Sequence, residues 1–403
     1  MPRRVVITGL GAVCGLGTTV DEYWSALSKG QSAIRSLGHR GDGTRISIGA
    51  VVPDYDPEQY FSSDELPLLD RFSQFALLAT REAIADAGLV AGEEAITGAA
   101  AIIGTGCGGK QTDEETYVRL YKKQKFRAHP LTIPKGMPSA AASLVSRDQG
   151  IKGPVFSVTS ACASAAHAVI QGRLMIQSGM IDVALVGGTD APFTYGLLKA
   201  WEALRVVSND TCRPFCKDRS GMVLGEGSGM LVLESEQHAA QRDARIYAEL
   251  AGCGMTSDAG HITRPDVDGI ARAISNALED ADLASDTVDY VNAHGTGTPA
   301  NDPAETEALH RVFGTHAHAL AVSSTKSMHG HALGAASALE LIATVLALQN
   351  NLIPPTANFT IPDDECDLDY IPNHARAQRI DIAVSNTFAF GGLNTVLVLK
   401  ARH

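Results

Sequence analysis

The chain has 403 residues, 45% of them hydrophobic and 19% charged, and carries a formal net charge of −12. That balance describes a globular protein with one large core or two ordinary ones, and it excludes a disordered chain. The acidity argues against a nucleic-acid binder. No apolar run is expected to reach the ~18 residues that span a bilayer, so a membrane is not expected either.

The opening "MPRRVVITGLGAV" has the charge and apolar run of a signal peptide in outline. The run is short, β-branched and broken by Gly9 and Gly11, so it reads as a buried first strand. "EYWSALSKG" and "QFALLATREAIADAG" follow as helices, the second closing at glycine, and "AAIIGTG" is the next strand. "VRLYKKQKFRAHP" then places Arg119, Lys122, Lys123, Lys125 and Arg127 within nine residues. Such a run is either a solvated face or a docking patch for an acidic partner.

"PVFSVTSA" and "DVALVGGTD" are strands on either side of the helix "AAHAVIQGRLMIQSG". After the charged run "ESEQHAAQRDARI" the pattern starts again. "YAELAGCGM", "VDYVNAHGTG", "LAVSSTKS" and "IAVSNTFAFGGLNTVLVLK" read as strands, with "GIARAISNALEDADL" and "SALELIATVLALQNN" as helices. Strand and helix alternate as in an α/β fold with buried sheets. In each half a strand delivers a reactive residue to a loop that precedes a helix of small residues. An internal duplication is therefore expected, with its seam near residues 236–246.

Seven cysteines, at 14, 107, 162, 212, 216, 253 and 366, are odd in number and scattered. They point to reduced thiols in the cytoplasm rather than a disulfide framework. Cys212 and Cys216 form a C-x3-C pair without a second pair, which is poor zinc spacing.

Four spots combine reactive side chains with open, glycine-rich surroundings. In "SVTSACASAAHAVIQG", Cys162 sits where a strand turns into a helix among alanines and serines. It is either a small buried hydrophobe or a nucleophile whose pKa the helix N-terminus lowers, and the placement favours the nucleophile. In "NAHGTGTPANDPAET", His294 is a turn residue or a proton donor. Thr296 and Thr298 are turn formers or two hydroxyls lining a channel, and Asp302 and Glu305 stand at cap positions. In "SSTKSMHGHALGAAS", His331 is a second candidate donor and His329 a local residue. Lys326 is drawn inside by its strand and needs a carboxylate, for which Glu305 is the candidate. In "NTFAFGGLN", Gly391 and Gly392 permit positive φ. That run is a hairpin bend, or a gate built on Phe390 that also offers a backbone N–H to an oxyanion.

Together, "TSACAS", "HGTGTPANDPAE", "STKSMHGHALGAA" and "FAFGGLN" resemble the β-ketoacyl-acyl carrier protein synthases of the elongating Cys-His-His class. "RPFCKDRSGMVLGEGSGMLVLE" also matches that family, and the resemblance runs from the first strand to the last. It implies a thiolase-type five-layered αβαβα fold of two pseudo-repeated halves, residues 1–245 and 246–403, assembled as a dimer. It implies an acyltransferase in which Cys162 takes an acyl chain from the phosphopantetheine of an acyl carrier protein. Malonyl-carrier protein then loses carbon dioxide, with His294 and His331 stabilising the enolate. Lys326 and Glu305 would organise the site, and the N–H groups of Cys162 and Phe390 would form the oxyanion hole. Thr296 and Thr298 would hold the pantetheine amides. No metal or redox cofactor is implied.

The same resemblance makes Lys122, Lys123, Lys125 and Arg127, with Arg205 as an outlier, the carrier-docking cations. It makes Cys107 a residue at the far end of the acyl pocket. Degradative thiolases use a second reactive cysteine that "FAFGGLN" lacks, initiating synthases carry Asn where this chain has His331, and chain-length-factor subunits lack the nucleophile. A non-catalytic binding module would have little use for all four reactive residues. Ala389 replaces a usual Gly, Leu393 a usual Thr, Cys216 and Ser220 interrupt a run where Asp is usual, and "SSDELPLLDRF" is acidic where many relatives are basic. "GGTDAP" is closer to aromatic and polyene ketosynthases, and "KAWEALRV" resembles nodulation-type synthases. A secondary-metabolite role, as a homodimer or beside a chain-length-factor-like subunit, is therefore the alternative to fatty-acid elongation.

Overall fold

The computed structural model describes residues 3–402. In the first half, strands β1 (Val5–Cys14), β2 (Ala100–Gly104), β3 (Val155–Val158), β4 (Val183–Asp190) and β5 (Gly227–Ser235) carry helices α1 (Val20–Ser28), α2 (Arg71–Asp86), α3 (Lys110–Tyr117), α4 (Ala140–Gln149), α5 (Ser164–Gln177) and α6 (Tyr195–Leu204). In the second, β6 (Ala248–Ser257), β7 (Tyr290–Asn292), β8 (Ala321–Ser323), β9 (Ile382–Ala389) and β10 (Leu393–Ala401) carry α7 (Val267–Asp280), α8 (Asn301–Phe313), α9 (Lys326–His329) and α10 (Ala336–Asn350).

The ten strands lie in the order β8-β7-β9-β10-β6-β1-β5-β4-β2-β3. Read inward from each edge, the second half repeats the first with five added to every number. Strand directions repeat as well: β2 is parallel to β3 and β4 as β7 is to β8 and β9, and the remaining neighbours within each half are antiparallel. The halves meet edge to edge, where Val6 faces Glu249 and Ile7 faces Ala248.

The duplication extends to packing. A Cβ on Gly9 or Gly11 of β1 would lie 2.2 or 1.9 Å from the carbonyl oxygens of Ala83 and Ala79 in α2. On Gly252 or Gly254 of β6 it would lie 2.4 or 2.0 Å from those of Ala277 and Ala273 in α7. Each half thus seats its first long helix directly on bare strand backbone, which requires glycine on the strand and alanine on the helix.

Three cores separate five layers. Helices α2 and α4 cover the outer face of the first half-sheet, α7 and α8 that of the second, and α5 and α10 are sandwiched between. Burial on all sides explains why α10 is apolar all round. With the turn before it, this stretch (Leu333–Asn350) is long and apolar enough to cross a membrane, contrary to the sequence expectation, but 89% of it is buried inside the fold. Its single acid, Glu340, is fully buried.

Candidate active site

Cys162 stands on a tight elbow between β3 and α5. Ala161 takes φ +51°, the left-handed region that a residue with Cβ enters at a cost. The turn is held by Ser164, whose hydroxyl donates to the Ala161 carbonyl at 2.6 Å and accepts from the Ser160 N–H at 2.9 Å. A Cβ on Gly104 would meet Ser164 backbone at 2.4 Å, so the elbow also rests directly on the end of β2. Small residues surround the thiol because backbone packs there, and Cys162 keeps 8% exposure.

The thiol is not the low-pKa group expected from a helix N-terminus. Burial pushes it up to about 12, against the opposing pull of Lys326 and the N–H groups of Phe390 and Cys162. The resting side chain is therefore a thiol. Desolvation of an anion outweighs the partial charges of a helix end.

The second half supplies the rest. His331 Nε2 lies 3.0 Å from Cys162 Sγ. Its loop is pinned by backbone bonds from His331 to Val223 and from Gly225 to His331. The Leu333 N–H donates to His331 Nδ1 at 3.1 Å, so the neutral ring carries its proton on Nε2, facing the sulfur. The His294 ring stands 5.7 Å from the His331 ring at 88°. Lys326 Nζ donates to the His294 carbonyl at 2.6 Å and sits 3.2 Å from Nδ1, which sends the His294 proton to Nε2 as well. Burial, then the charge of Lys326, hold both imidazoles well below their ordinary pKa, so both are neutral. Cys162, His294 and His331 bring their donor atoms within 4.8 Å of one another, a zinc-like set. With each Nδ1 already occupied, however, the inward nitrogens are N–H donors rather than metal ligands.

The counter-charge of Lys326 is Glu340, not Glu305. Lys326 Nζ lies 2.5 Å from Glu340 Oε1, both groups being fully buried. Glu305 instead accepts the N–H groups of His294 and Gly295, both at 2.8 Å, and the side chain of Asn386 at 3.2 Å. It shapes the His294 turn from the first turns of α8. Asp302 does the same for the next residues, accepting from Phe215 and Gly297. A lone acid in the middle of "SALELIATVLALQNN" was the available signal for Glu340, because a charge in an all-apolar helix must be paired. His329 is local, as expected, bonded to the Gly330 carbonyl and the Thr325 hydroxyl.

A cavity of about 50 Å³ above Cys162 is lined by His294, His331, Thr296, Thr298, Phe390 and Trp201 among others. The two threonine hydroxyls are 2.8 Å apart. Gly391 and Gly392 take φ +88° and +68°, and the Phe390 ring packs on Trp201 at 6.2 Å. The hairpin reading holds: β9 and β10 pair antiparallel, and Phe390 and Gly392 of the turn between them line the cavity.

Family models for the β-ketoacyl synthase N-terminal domain and C-terminal domain match residues 2–239 and 247–360. This chain belongs to the β-ketoacyl synthase family. It is 50% identical to nodulation protein E of Rhizobium sp. (strain N33), over 99% of this chain and 100% of the relative. It is 42% identical to 3-oxoacyl-[acyl-carrier-protein] synthase 2 of Synechocystis sp., over 99% and 98%. The solved ishigamide ketosynthase/chain length factor superposes with a TM-score of 0.95 at 36% identity, covering both chains fully. The fold is thus the five-layered ketosynthase arrangement that the motifs implied.

Other expected positions of this β-ketoacyl synthase fall outside the cavity. Cys107 packs beside an apolar cluster of Leu37, Ile46, Leu198, Leu224 and Leu333 and does not line the space above Cys162. Lys122, Lys123, Lys125 and Arg127 are all exposed. Lys123 and Lys125 share a groove with Arg119, His129 and Lys135. Arg205, at the end of α6, lines a separate groove with Arg45 and Trp201. Trp201 lines both that groove and the cavity above Cys162.

Proposed function

We propose that this β-ketoacyl synthase catalyses decarboxylative Claisen condensation of an acyl chain on Cys162 with a malonyl-acyl carrier protein. The observation that carries the reading is the pair of neutral imidazoles whose Nε2–H groups converge above the Cys162 sulfur. In the first stage the Cys162 sulfur attacks the acyl thioester. Its proton goes to the departing pantetheine sulfur, and the N–H groups of Cys162 and Phe390 hold the oxyanion. In the second, the malonyl carboxylate leaves as carbon dioxide, and its electron pair becomes an enolate whose oxygen receives the His294 and His331 hydrogen bonds. The enolate carbon then attacks the acyl-Cys162 carbonyl, the carbonyl–sulfur bond breaks, and the departing Cys162 sulfur takes up one proton from solvent to regenerate the thiol. No strong base is required, which suits rings held neutral by burial. Residues 1–245 supply the nucleophile and residues 246–403 the imidazoles, Lys326 and the gate. Thr296 and Thr298, whose hydroxyls lie 2.8 Å apart in the cavity lining, hold the pantetheine amides in this reading, and Lys326 sets the His294 tautomer.

The nodulation relative supports a dedicated pathway rather than housekeeping fatty-acid synthesis. The ketosynthase/chain length factor neighbour supports work beside a second subunit, whether a copy of this chain or a chain-length-factor-like partner. Strand β3 is the sheet's edge and its residues are only half buried, which leaves a ladder open to that subunit. Seven free cysteines fit a reducing compartment such as the cytoplasm.

The test is intact-mass analysis of the protein with a panel of acyl-carrier proteins, together with carbon dioxide release from malonyl-carrier protein. Acyl adducts on Cys162 that vanish in Cys162→Ala, and carbon dioxide release that needs His294 and His331, are expected. Condensation at near wild-type rate by folded Cys162→Ala would refute the reading.

A further inference from the structure

Asp190, the last residue of β4, is fully buried and makes no ion pair among the described residues. It accepts four hydrogen bonds. Oδ1 takes the Thr105 hydroxyl at 2.8 Å and the Cys107 N–H at 3.0 Å. Oδ2 takes the Gly106 N–H at 2.8 Å and the Gly334 N–H at 2.6 Å. Thr105 Oγ1 already accepts the Gly108 N–H at 2.9 Å, so its own proton points to Asp190. All four partners are therefore donors, and only a carboxylate satisfies them together.

Two of the segments tied by this carboxylate flank the chemistry. The Thr105–Cys107 segment lies under the elbow: the hydroxyl oxygen of Ser164, which holds the Cys162 turn, is 3.3 Å from the Thr105 carbonyl oxygen. Gly334 follows Leu333, and Leu333 takes φ +50°, left-handed backbone that a leucine does not hold unaided. That strained residue supplies the N–H that meets His331 Nδ1. A Cβ on Gly334 would lie 2.3 Å from the Gly106 nitrogen and 2.7 Å from Asp190 Oδ2, so the two loops touch backbone to backbone across the carboxylate.

We propose that Asp190 is a positioning residue for the condensation. Its carboxylate holds the strained Leu333–Gly334 turn so that the Leu333 N–H stays on His331 Nδ1 and the His331 proton stays on Nε2. The proposal rests on the reading of His331 as an Nε2–H donor. Asp190 touches neither substrate nor the reacting atoms, and it acts through Leu333. Burial raises its own pKa to about 6, partly offset by the four donors, which keeps it largely ionised at neutral pH.

The test has three arms. In the wild-type protein, the His331 ring 15N resonances, assigned by their loss in His331→Gln, should report a protonated Nε2 and a bare Nδ1. A proton on Nδ1 would overturn the proposal without any variant of Asp190. In Asp190→Asn, one amide N–H must face a backbone donor. Carbon dioxide release from malonyl-carrier protein should fall about 100-fold in kcat with little change in KM, the His331 signature should change, and acyl loading of Cys162 should be nearly retained. Gly334→Ala displaces the same turn without altering the carboxylate, and should give the same split if Asp190→Asn fails to fold. Equal loss of loading and decarboxylation with an unchanged His331 signature would make Asp190 mere scaffold and end the proposal. If His331→Ala leaves decarboxylation intact, the functional reading of His331 fails, and this is seen independently of Asp190.

Discussion

The Lys326 ammonium and the Glu340 carboxylate meet 2.5 Å apart with no solvent access, one from the short helix after β8 and one from the central helix α10. Removing one partner leaves the other charged and buried. Glu340→Leu alone should therefore cost about 3–5 kcal/mol in urea unfolding. The double variant Lys326→Met, Glu340→Leu should regain most of that stability but not the activity, because His294 Nδ1 loses the donor that keeps its proton on Nε2. If Glu340→Leu unfolds within about 0.5 kcal/mol of wild type, the pair carries no buried charge.

His329 makes a prediction about pH. Burial lowers its pKa from 6.5 to about 3, so between those values the unfolded chain binds a proton that the native ring refuses. Its contribution to stability is complete above the unfolded value and is lost as pH falls, by about 2 kcal/mol between pH 6.5 and 5. Asp190 and Asp302, raised to about 6, and Glu82, raised to about 7, work in the other direction. Their native forms keep protons longer, so their share of stability is present at low pH and lost as pH rises through those values. The difference between wild type and His329→Gln isolates the ring: the variant should lose less stability than wild type from pH 7 to 5. Parallel curves would show that His329 is not a buried neutral base.

The strands were legible because β-branched runs end at glycines, and Cys162 was legible because a thiol stands where a strand meets a helix among small residues. β5 is legible only as part of a matching run, since "GEGSG" hides a strand on whose Gly229 a Cβ would lie 2.9 Å from Ala338 of α10. Lys326 visibly needs a carboxylate, and the sequence offers Glu305, in a reactive-looking motif, more prominently than Glu340. The true one lies on a helix whose register against α9 only the three-dimensional packing decides. Asp190 likewise looked like the end of a strand, because its four donors come from two loops far away in the chain. Placement of Cys162 at a helix end is readable from sequence, whereas the depth of burial that raises the thiol's pKa is not.

The basic surface offers a test of carrier docking. Lys122, Lys123 and Lys125 are exposed cations on a chain of net charge −12, and Arg205 lines a groove that shares Trp201 with the cavity above Cys162. Reversing the three lysines to glutamate should raise KM for carrier-bound substrates about 10-fold and flatten its salt dependence. Arg205→Glu should act in the same sense. A small pantetheine thioester should react unchanged with either variant. If both substrates suffer equally, the lysines shape the fold rather than a docking face.

The gate turn supplies the last prediction. Phe390 and Gly392, on either side of Gly391, line the cavity above Cys162, so their turn stands on the way that an acyl-pantetheine would take to the sulfur. The closed turn is latched by the Gly391 N–H on the Ile262 carbonyl at 2.7 Å and the Asp258 N–H on the Gly392 carbonyl at 2.9 Å. At Gly391, φ is +88° and a Cβ would meet nothing closer than the Leu393 side chain at 3.8 Å. Gly391→Ala therefore adds no clash and penalises only the closed backbone, by about 1 kcal/mol. That shifts the gate toward open about 5-fold, and Cys162 should be alkylated by iodoacetamide faster by a similar factor, read by peptide mass. Gly392→Ala adds contact with the Asp258 Cβ at 2.6 Å to its own positive φ, and should accelerate alkylation further. Unchanged or slower alkylation of Cys162 in folded Gly391→Ala would mean that this turn is not what covers the thiol.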